Sequence, residues 1–237
     1  MSRELRAAVA AVTFLTRLPV AGRLAIDRDD VQRAGAYFPL VGAAIGAGAA
    51  AVANRAGPDA GVVAGALATG ALHLDALADL ADAGGAGSRE RALEIMRDPT
   101  VGAFGATAIV CDLLLKRSAL AAVDRGRAVR VGLAAGALSR ATPVLLAAAL
   151  PYARSEGTAG ALSRGGGLRA TTAAAIALVA AITALGREGV RLAAVAGGLT
   201  LAAAVTLDRW LGGVTGDALG ASLEVTETAL LLVAGRR

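Results

Sequence analysis

The sequence predicts an all-α polytopic integral membrane helical bundle, with about six to seven spanning helices and an interfacial N-terminal helix. Three observations carry that prediction. Of 237 residues, 56% are apolar and 18% are charged, with a mean hydropathy of +0.61; a soluble domain averages about 45–50% and about 25%. The apolar residues fall in runs approaching the ~20 residues that cross a bilayer. Strand-like alternation is absent, and a helix satisfies its own backbone polar groups within hydrocarbon. Residues 1–237 read as one membrane-embedded domain.

The elements follow in chain order. Arg3, Glu4, Arg6 and Arg17 surround a short apolar stretch. This predicts an amphipathic or partly inserted helix ended near Pro19, rather than a signal peptide. Residues 34–53 form a first span containing Gly42, Gly46 and Gly48, small residues that let helices approach closely. Residues 60–72 are short and continue into an acidic segment. Residues 102–123 are interrupted by Asp112, Lys116 and Arg117, and residues 131–150 contain Arg140. Residues 170–185 and 190–207 predict a hairpin joined by Gly186-Arg187-Glu188-Gly189. The last span, 211–234, carries Asp217, Glu224 and Glu227. Two polar loops stand out: the glycine-rich 82–88, expected to be flexible, and 154–160 followed by Ser163-Arg164-Gly165-Gly166-Gly167.

Net charge is +5 and the pI about 10.5. The cations are spread between apolar stretches rather than blocked, as membrane topology requires of short loops. Aromatics make up 3%, too few for base-stacking platforms. Nucleic acid is therefore not an expected partner; the lipid bilayer is. The single Cys111 excludes an intramolecular disulfide and a thiolate metal cluster, and reads as a small buried apolar side chain.

The chemistry concentrates in His73-Leu-Asp75-Ala-Leu-Ala-Asp79-Leu-Ala-Asp82. Spacing of i, i+4, i+7 puts three carboxylates on one helix face. They repel one another, and apolar surroundings raise the cost. No Lys or Arg within the segment offsets them. A divalent cation would, and hard oxygen ligands favour Mg2+ or Mn2+; the alternative is a solvated helix face. His73 precedes the stripe as a candidate base, phosphate donor or orienting group. Glu94, Arg97 and Asp98 follow in Arg91-Ala-Leu-Glu94-Ile-Met-Arg97-Asp98-Pro99, either substrate-binding or an interfacial connector with paired charges. Gly102 and Gly105 would allow close backbone approach to a ligand. Lys116 and Arg140, like Arg117, lie in apolar runs and are candidates for phosphate binding, against snorkelling or pairing with Asp112. In Gly212-Gly213-Val214-Thr215-Gly216-Asp217, glycines near a helix start expose N–H groups, a natural anion site. Asp217, Glu224 and Glu227, at i, i+7, i+10, form a second acidic stripe.

These groups suggest a polar cavity suited to Mg2+-assisted phosphoryl transfer, in which a hydroxyl attacks in line and a nucleotide leaves. Asp75, Asp79, Asp82 and Asp217 are the candidate metal ligands. His73, Asp75, Asp79 and Asp82 are the candidate catalytic groups. Glu94, Arg97, Asp98, Lys116, Arg140, Thr215, Gly216, Asp217, Glu224 and Glu227 are the candidate substrate-binding groups.

The motifs together resemble the cobalamin synthase family, the adenosylcobinamide-GDP ribazoletransferases. The resemblance covers almost the whole chain. It runs from Phe14-Leu-Thr-Arg17-Leu-Pro19 and Tyr37-Phe38-Pro39-Leu-Val-Gly42 through Gly70-Ala-Leu-His73-Leu-Asp75 and Arg91–Asp98 to Gly213-Val-Thr215-Gly216-Asp217-Ala-Leu-Gly220. It implies a multi-pass enzyme of the prokaryotic inner membrane that requires Mg2+. Such an enzyme joins a GDP-activated corrinoid to α-ribazole or its 5′-phosphate, through the ribazole 3′-hydroxyl, and releases GMP. The catalytic base stays open among His73, an aspartate and a metal-bound hydroxide, and a homo-oligomer stays open too. Ala76 departs from the family pattern, which has Gly after His-x-Asp. The alternatives are a metal-dependent phosphotransferase of the CDP-alcohol type, whose Ala-Arg signature is missing here, and a transporter.

Overall fold

The computed structural model describes residues 2–22, 24–154, 160–163 and 166–236. Among them the secondary structure is α-helical throughout, apart from one short 3-10 turn and an isolated bridge between Tyr152 and Val214. Helix α1 (Arg3–Leu15) stops at Thr16, short of Pro19, with Ser2 as its N-cap. It packs on α2 (Arg28–Ala34) and α3 (Phe38–Ala56). Arg6 pairs with Asp30 at the start of α2, and the Tyr37 hydroxyl donates to Glu4 over 2.6 Å. α2, the 3-10 turn Gly35–Tyr37 and α3 form one helical stretch of 29 residues that contains an apolar window long enough to cross a membrane.

Helix α4 (Pro58–Thr69) leads into α5 (Leu72–Ala83), but the two are bent by 89°. The short run at 60–72 thus continues into the acidic segment through a sharp break. The reason is a Schellman ending. Gly70 is left-handed at φ +62°, its N–H bonds Leu67 O at 3.1 Å, and Ala71 N bonds Ala66 O at 2.9 Å. Ala71 is itself left-handed at φ 59°, costing an L-residue roughly 1 kcal/mol. That turn sets the His73 and Ala76 side of α5 against Gly220 of α12.

After α6 (Arg89–Ile95, N-cap Ser88) comes α7 (Ala103–Ala122), and then α8 (Arg125–Ala149). The apolar stretch of α8 is 83% inside the bundle, against 17% for α11 (Arg187–Leu211), so α8 is the central post. Gly42 and Gly46 of α3 meet Gly132 and Gly136 of α8 so closely that a Cβ on Gly46 would stand 2.1 Å from Gly132 O. α9 (Gly160–Ser163) is one turn. α10 (Gly166–Leu185) turns back into α11 through Gly186 alone, at φ +60°, the expected hairpin. α12 (Gly216–Gly235) packs on α5, α7 and α8.

Five helical stretches are long and apolar enough to cross a membrane, six if α4 and α5 together make one broken span. The chain is an all-α polytopic membrane bundle. α7 has a span's length but lies outside that set, because Asp112, Lys116 and Arg117 interrupt it. Asp112 and Lys116 turn inward to partners. Cys111 is exposed on α7, correcting the expectation of a buried position.

Candidate functional site

A cavity of about 470 Å³ lies between two helix pairs. α5 and α12 pack together on one side, α1 and α3 on the other. α5 contributes His73, Asp75 and Ala76; α12 contributes Gly216, Asp217 and Gly220. The segment after α8 adds Tyr152 and Arg154, held in place by Val214 N bonding Pro151 O at 2.9 Å and Ala153 N bonding Val214 O at 2.8 Å. Gly213 is at φ +150°, and a Cβ there would meet Pro151 O at 2.2 Å, so this crossing requires glycine. At the α5–α12 contact a Cβ on Gly220 would come 2.6 Å from the Ala76 methyl, so Ala76 requires glycine opposite it.

The acidic stripe divides by partner. Asp75 is exposed toward the cavity, and Asp79 is half-buried in the field of Asp75, Asp217 and Asp82, opposed by Arg154. Asp217, in the first turn of α12 behind the Thr215 cap, pairs with Arg154 at 2.8 Å. Asp82 points elsewhere: its two oxygens accept Gly102 N at 2.7 Å and Gly105 N at 2.8 Å, capping the N-terminus of α7. Gly102 and Gly105, expected to admit a ligand, instead close on this carboxylate, where added Cβ atoms would lie 2.6 and 2.4 Å from its oxygens.

Arg154 is the cation of the cavity and Tyr152 its phenol. Neither was singled out by spacing; only the position of Arg154 just past an apolar span hinted at it. Burial pushes the Tyr152 phenol up, so it stays a hydrogen-bond donor at neutral pH. The rest of that polar loop, residues 155–159 and 164–165, lies outside the described residues.

Lys116, Arg140, Glu224 and Glu227 do not line this cavity. They form an internal ion network. Lys116 contacts Glu224 and stands 3.3 Å from Asp112, Arg140 is 2.7 Å from Glu227, and Thr228 donates to Asp112. The network borders a separate space of about 50 Å³. The second acidic stripe is thus one face with two sets of partners, Asp217 on the cavity and Glu224 and Glu227 inside. His73 stands between the two sites. It is 4% exposed, lines the cavity, feels the charges of the network, and has an Nδ1 without a hydrogen-bond partner. Glu94, Arg97 and Asp98 are exposed away from the cavity. Glu94 pairs with Arg91 at 2.9 Å, and Thr100 donates to Asp98, holding its carboxyl below the usual range. Arg117 pairs with Asp59 at 2.6 Å.

Among the described residues, no three His, Cys, Asp or Glu side chains converge as a ready-made metal cage. The donor chemistry nevertheless fits a hard cation. Asp75, Asp79 and Asp217 share one region with Arg154 as the cation opposing them, leaving negative charge in excess beside an apolar bundle.

A family model described as cobalamin-5-phosphate synthase matches residues 7–235. The chain belongs to the cobalamin-5-phosphate synthase family. Its similarity to curated members runs end to end. It is 40% identical to the adenosylcobinamide-GDP ribazoletransferase of Ralstonia nicotianae, over 94% of this chain and 92% of that one. It is 38% identical to the enzymes of that name from Azorhizobium caulinodans, covering 98% and 96%, and Pseudomonas aeruginosa, covering 98% of each. No solved structure matches the chain. The cavity is lined by Phe14 and Phe38 from α1 and α3, His73 and Asp75 from α5, and Gly216 and Asp217 from α12.

Proposed function

We propose that this membrane enzyme, resident in the prokaryotic inner membrane, joins adenosylcobinamide-GDP to α-ribazole or α-ribazole 5′-phosphate. The products are adenosylcobalamin or its 5′-phosphate, with release of GMP. The observation that carries the reading is end-to-end kinship with enzymes of that name, combined with a cavity lined by Asp75, Asp217 and Arg154, in which Asp217 pairs with Arg154. In the reaction the ribazole 3′-hydroxyl oxygen forms a bond to the phosphorus next to the corrinoid. The bond from that phosphorus to the bridging oxygen breaks, and GMP departs with that oxygen.

The residues divide the work by chemistry. Arg154 binds phosphate oxygens through its fork of donors, whereas the first-turn N–H groups of α12 are taken up within the protein, Ala218 N by the Thr215 hydroxyl at 3.1 Å and Leu219 N by Thr215 O at 3.1 Å. Asp75, Asp79 and Asp217 would hold Mg2+. When bound, Mg2+ supplies charge neutralisation for the diphosphate. His73, with an unpartnered ring nitrogen in the cavity wall, accepts the hydroxyl proton. The Tyr152 phenol donates to the sugar or phosphate. Phe14, Leu15, Phe38 and Leu162 exclude water from the attack.

The test is GMP release by the purified protein from adenosylcobinamide-GDP and α-ribazole, with Mg2+ and with a chelator. Product only with Mg2+ is expected. Asp75→Asn and Asp79→Asn should each lower turnover at least a hundredfold while membrane insertion is kept. Normal turnover by both variants would refute the proposed metal ligands, and product from a CDP-activated lipid instead would favour a CDP-alcohol phosphotransferase.

A further inference from the structure

The chain is poor in aromatic side chains, with three Phe, two Tyr and one Trp. Three of these six rings, Phe14, Phe38 and Tyr152, line the one cavity. The packed interior is otherwise mostly aliphatic, with Tyr37 and Trp210 packed at its margin. Phe14 and Phe38 are moreover stacked on each other, with centroids 5.4 Å apart and planes at 24°. Phe38 is 1% exposed and fixed, whereas Phe14 is half-buried at the end of α1 and keeps surface open to the cavity. Across the cavity from this pair stand His73, Asp75, Arg154 and Asp217.

A space of about 470 Å³ is in the range that holds one small organic ligand, about 300–1,000 Å³, and is large enough for a nucleoside. A nucleoside has a flat apolar end and a hydroxylated polar end, and the cavity wall offers an aromatic pair and a polar face in the same opposition.

We infer that Phe14, backed by Phe38, is the subsite for the aromatic base of the acceptor nucleoside, and that it sets a preference for fused two-ring bases. The inference rests on the transferase function proposed above. The base packs on the Phe14 ring as a further member of the Phe14–Phe38 stack, which directs the ribose toward His73 and Asp75. A fused two-ring base covers more of the ring than a single-ring base and gains correspondingly.

The experiment measures KM for each substrate separately, a quantity independent of the fraction of protein correctly folded. Wild type, Phe14→Ala, Phe14→Leu, Phe14→Tyr and the exposed control Leu5→Ala are given adenosylcobinamide-GDP with the α-riboside of either dimethylbenzimidazole or imidazole. In Phe14→Ala and Phe14→Leu, KM for α-ribazole should rise about tenfold or more, the usual effect of losing one base–aromatic stack, with KM for adenosylcobinamide-GDP unchanged. Phe14→Tyr should stay near wild type. The wild type should prefer the fused base, and Phe14→Ala should lose most of that preference. An unchanged KM for α-ribazole in both truncations, or an equal rise for both substrates, overturns the inference. So does a wild type indifferent to the second ring, a result that needs no variant. If the wild type makes no product, the transferase function falls and the subsite with it; product with an unmoved KM removes the subsite alone.

Discussion

At Asp82 the structure separates two duties that one spacing pattern had merged. Asp75, Asp79 and Asp82 share a helix face, yet only Asp82 has both oxygens taken by backbone amides, those of Gly102 and Gly105. A carboxylate offers acceptors on both sides, whereas an amide turns an NH2 group toward one of the two N–H donors. Asp82→Asn should therefore lower the apparent melting temperature of the purified protein by the equivalent of about 1.5–3 kcal/mol, the range for hydrogen bonds to a charged group. Asp75→Asn, at an exposed position, should leave it unmoved. An Asp82→Asn protein that melts like wild type but makes no GMP would move Asp82 back among the catalytic groups. The stripe itself was legible, because i, i+4, i+7 fixes a face whatever surrounds it. Its division was not, since the amides that claim Asp82 lie 20 and 23 residues away in sequence. For the same reason Arg154 escaped notice: it reaches Asp217 only because residues 151–153 cross Val214.

Among the helices, apolar run length carried most of the outcome. Spans and the α10–α11 hairpin follow from composition, and the glycines at 42 and 46 pointed to close packing before a partner was known. What composition lacks is direction. The 89° break between α4 and α5 depends on two successive left-handed residues, one of them an alanine, and alanine carries no turn signal. The glycine pairing is likewise a property of two helices at once. Because Gly136 of α8 would place a Cβ 2.1 Å from Gly42 O, backbone against backbone, no side-chain rotation can make room. Gly136→Ala must push α3 from α8, and overpacking of this kind costs about 1–3 kcal/mol. Gly48, on α3 with nothing within 4 Å of a built Cβ, is the matched control. Gly48→Ala should be neutral or stabilising by about 0.5–1 kcal/mol through helix propensity alone. Thermal melts of the two variants in one detergent check the pair, and equal melting temperatures would contradict the close α3–α8 contact.

Across the whole molecule, the internal ion network ties α7, α8 and α12 together through Lys116, Arg140, Asp112, Glu224 and Glu227. Lys116 and Arg140 are opposed by three carboxylates, and their side chains are 12% and 2% exposed. In such surroundings a pair is weak evidence of net stability, but losing one member leaves an uncompensated charge, which costs about 3–5 kcal/mol. Lys116→Met should therefore sharply reduce folded yield. Adding Glu224→Met to it removes the stranded carboxylate that Lys116 contacts most closely, and should restore much of the loss. A double-mutant cycle on melting temperature and yield reads the coupling directly. From sequence, Lys116 and Arg140 are candidate phosphate binders, since ionisable groups inside spans are functional by default, with pairing of Lys116 to Asp112 as the alternative, and Glu224 and Glu227 are candidate substrate-binding acids. In the folded chain these groups are matched to one another and lie behind His73 rather than on the cavity. The cycle decides between the two roles. Strong positive coupling in stability, with GMP release per folded molecule retained in the double variant, assigns the network to holding α7, α8 and α12 at the spacing the cavity needs. A Lys116→Met protein that folds fully yet loses GMP release would instead make Lys116 part of the transfer machinery, reached from the cavity through His73.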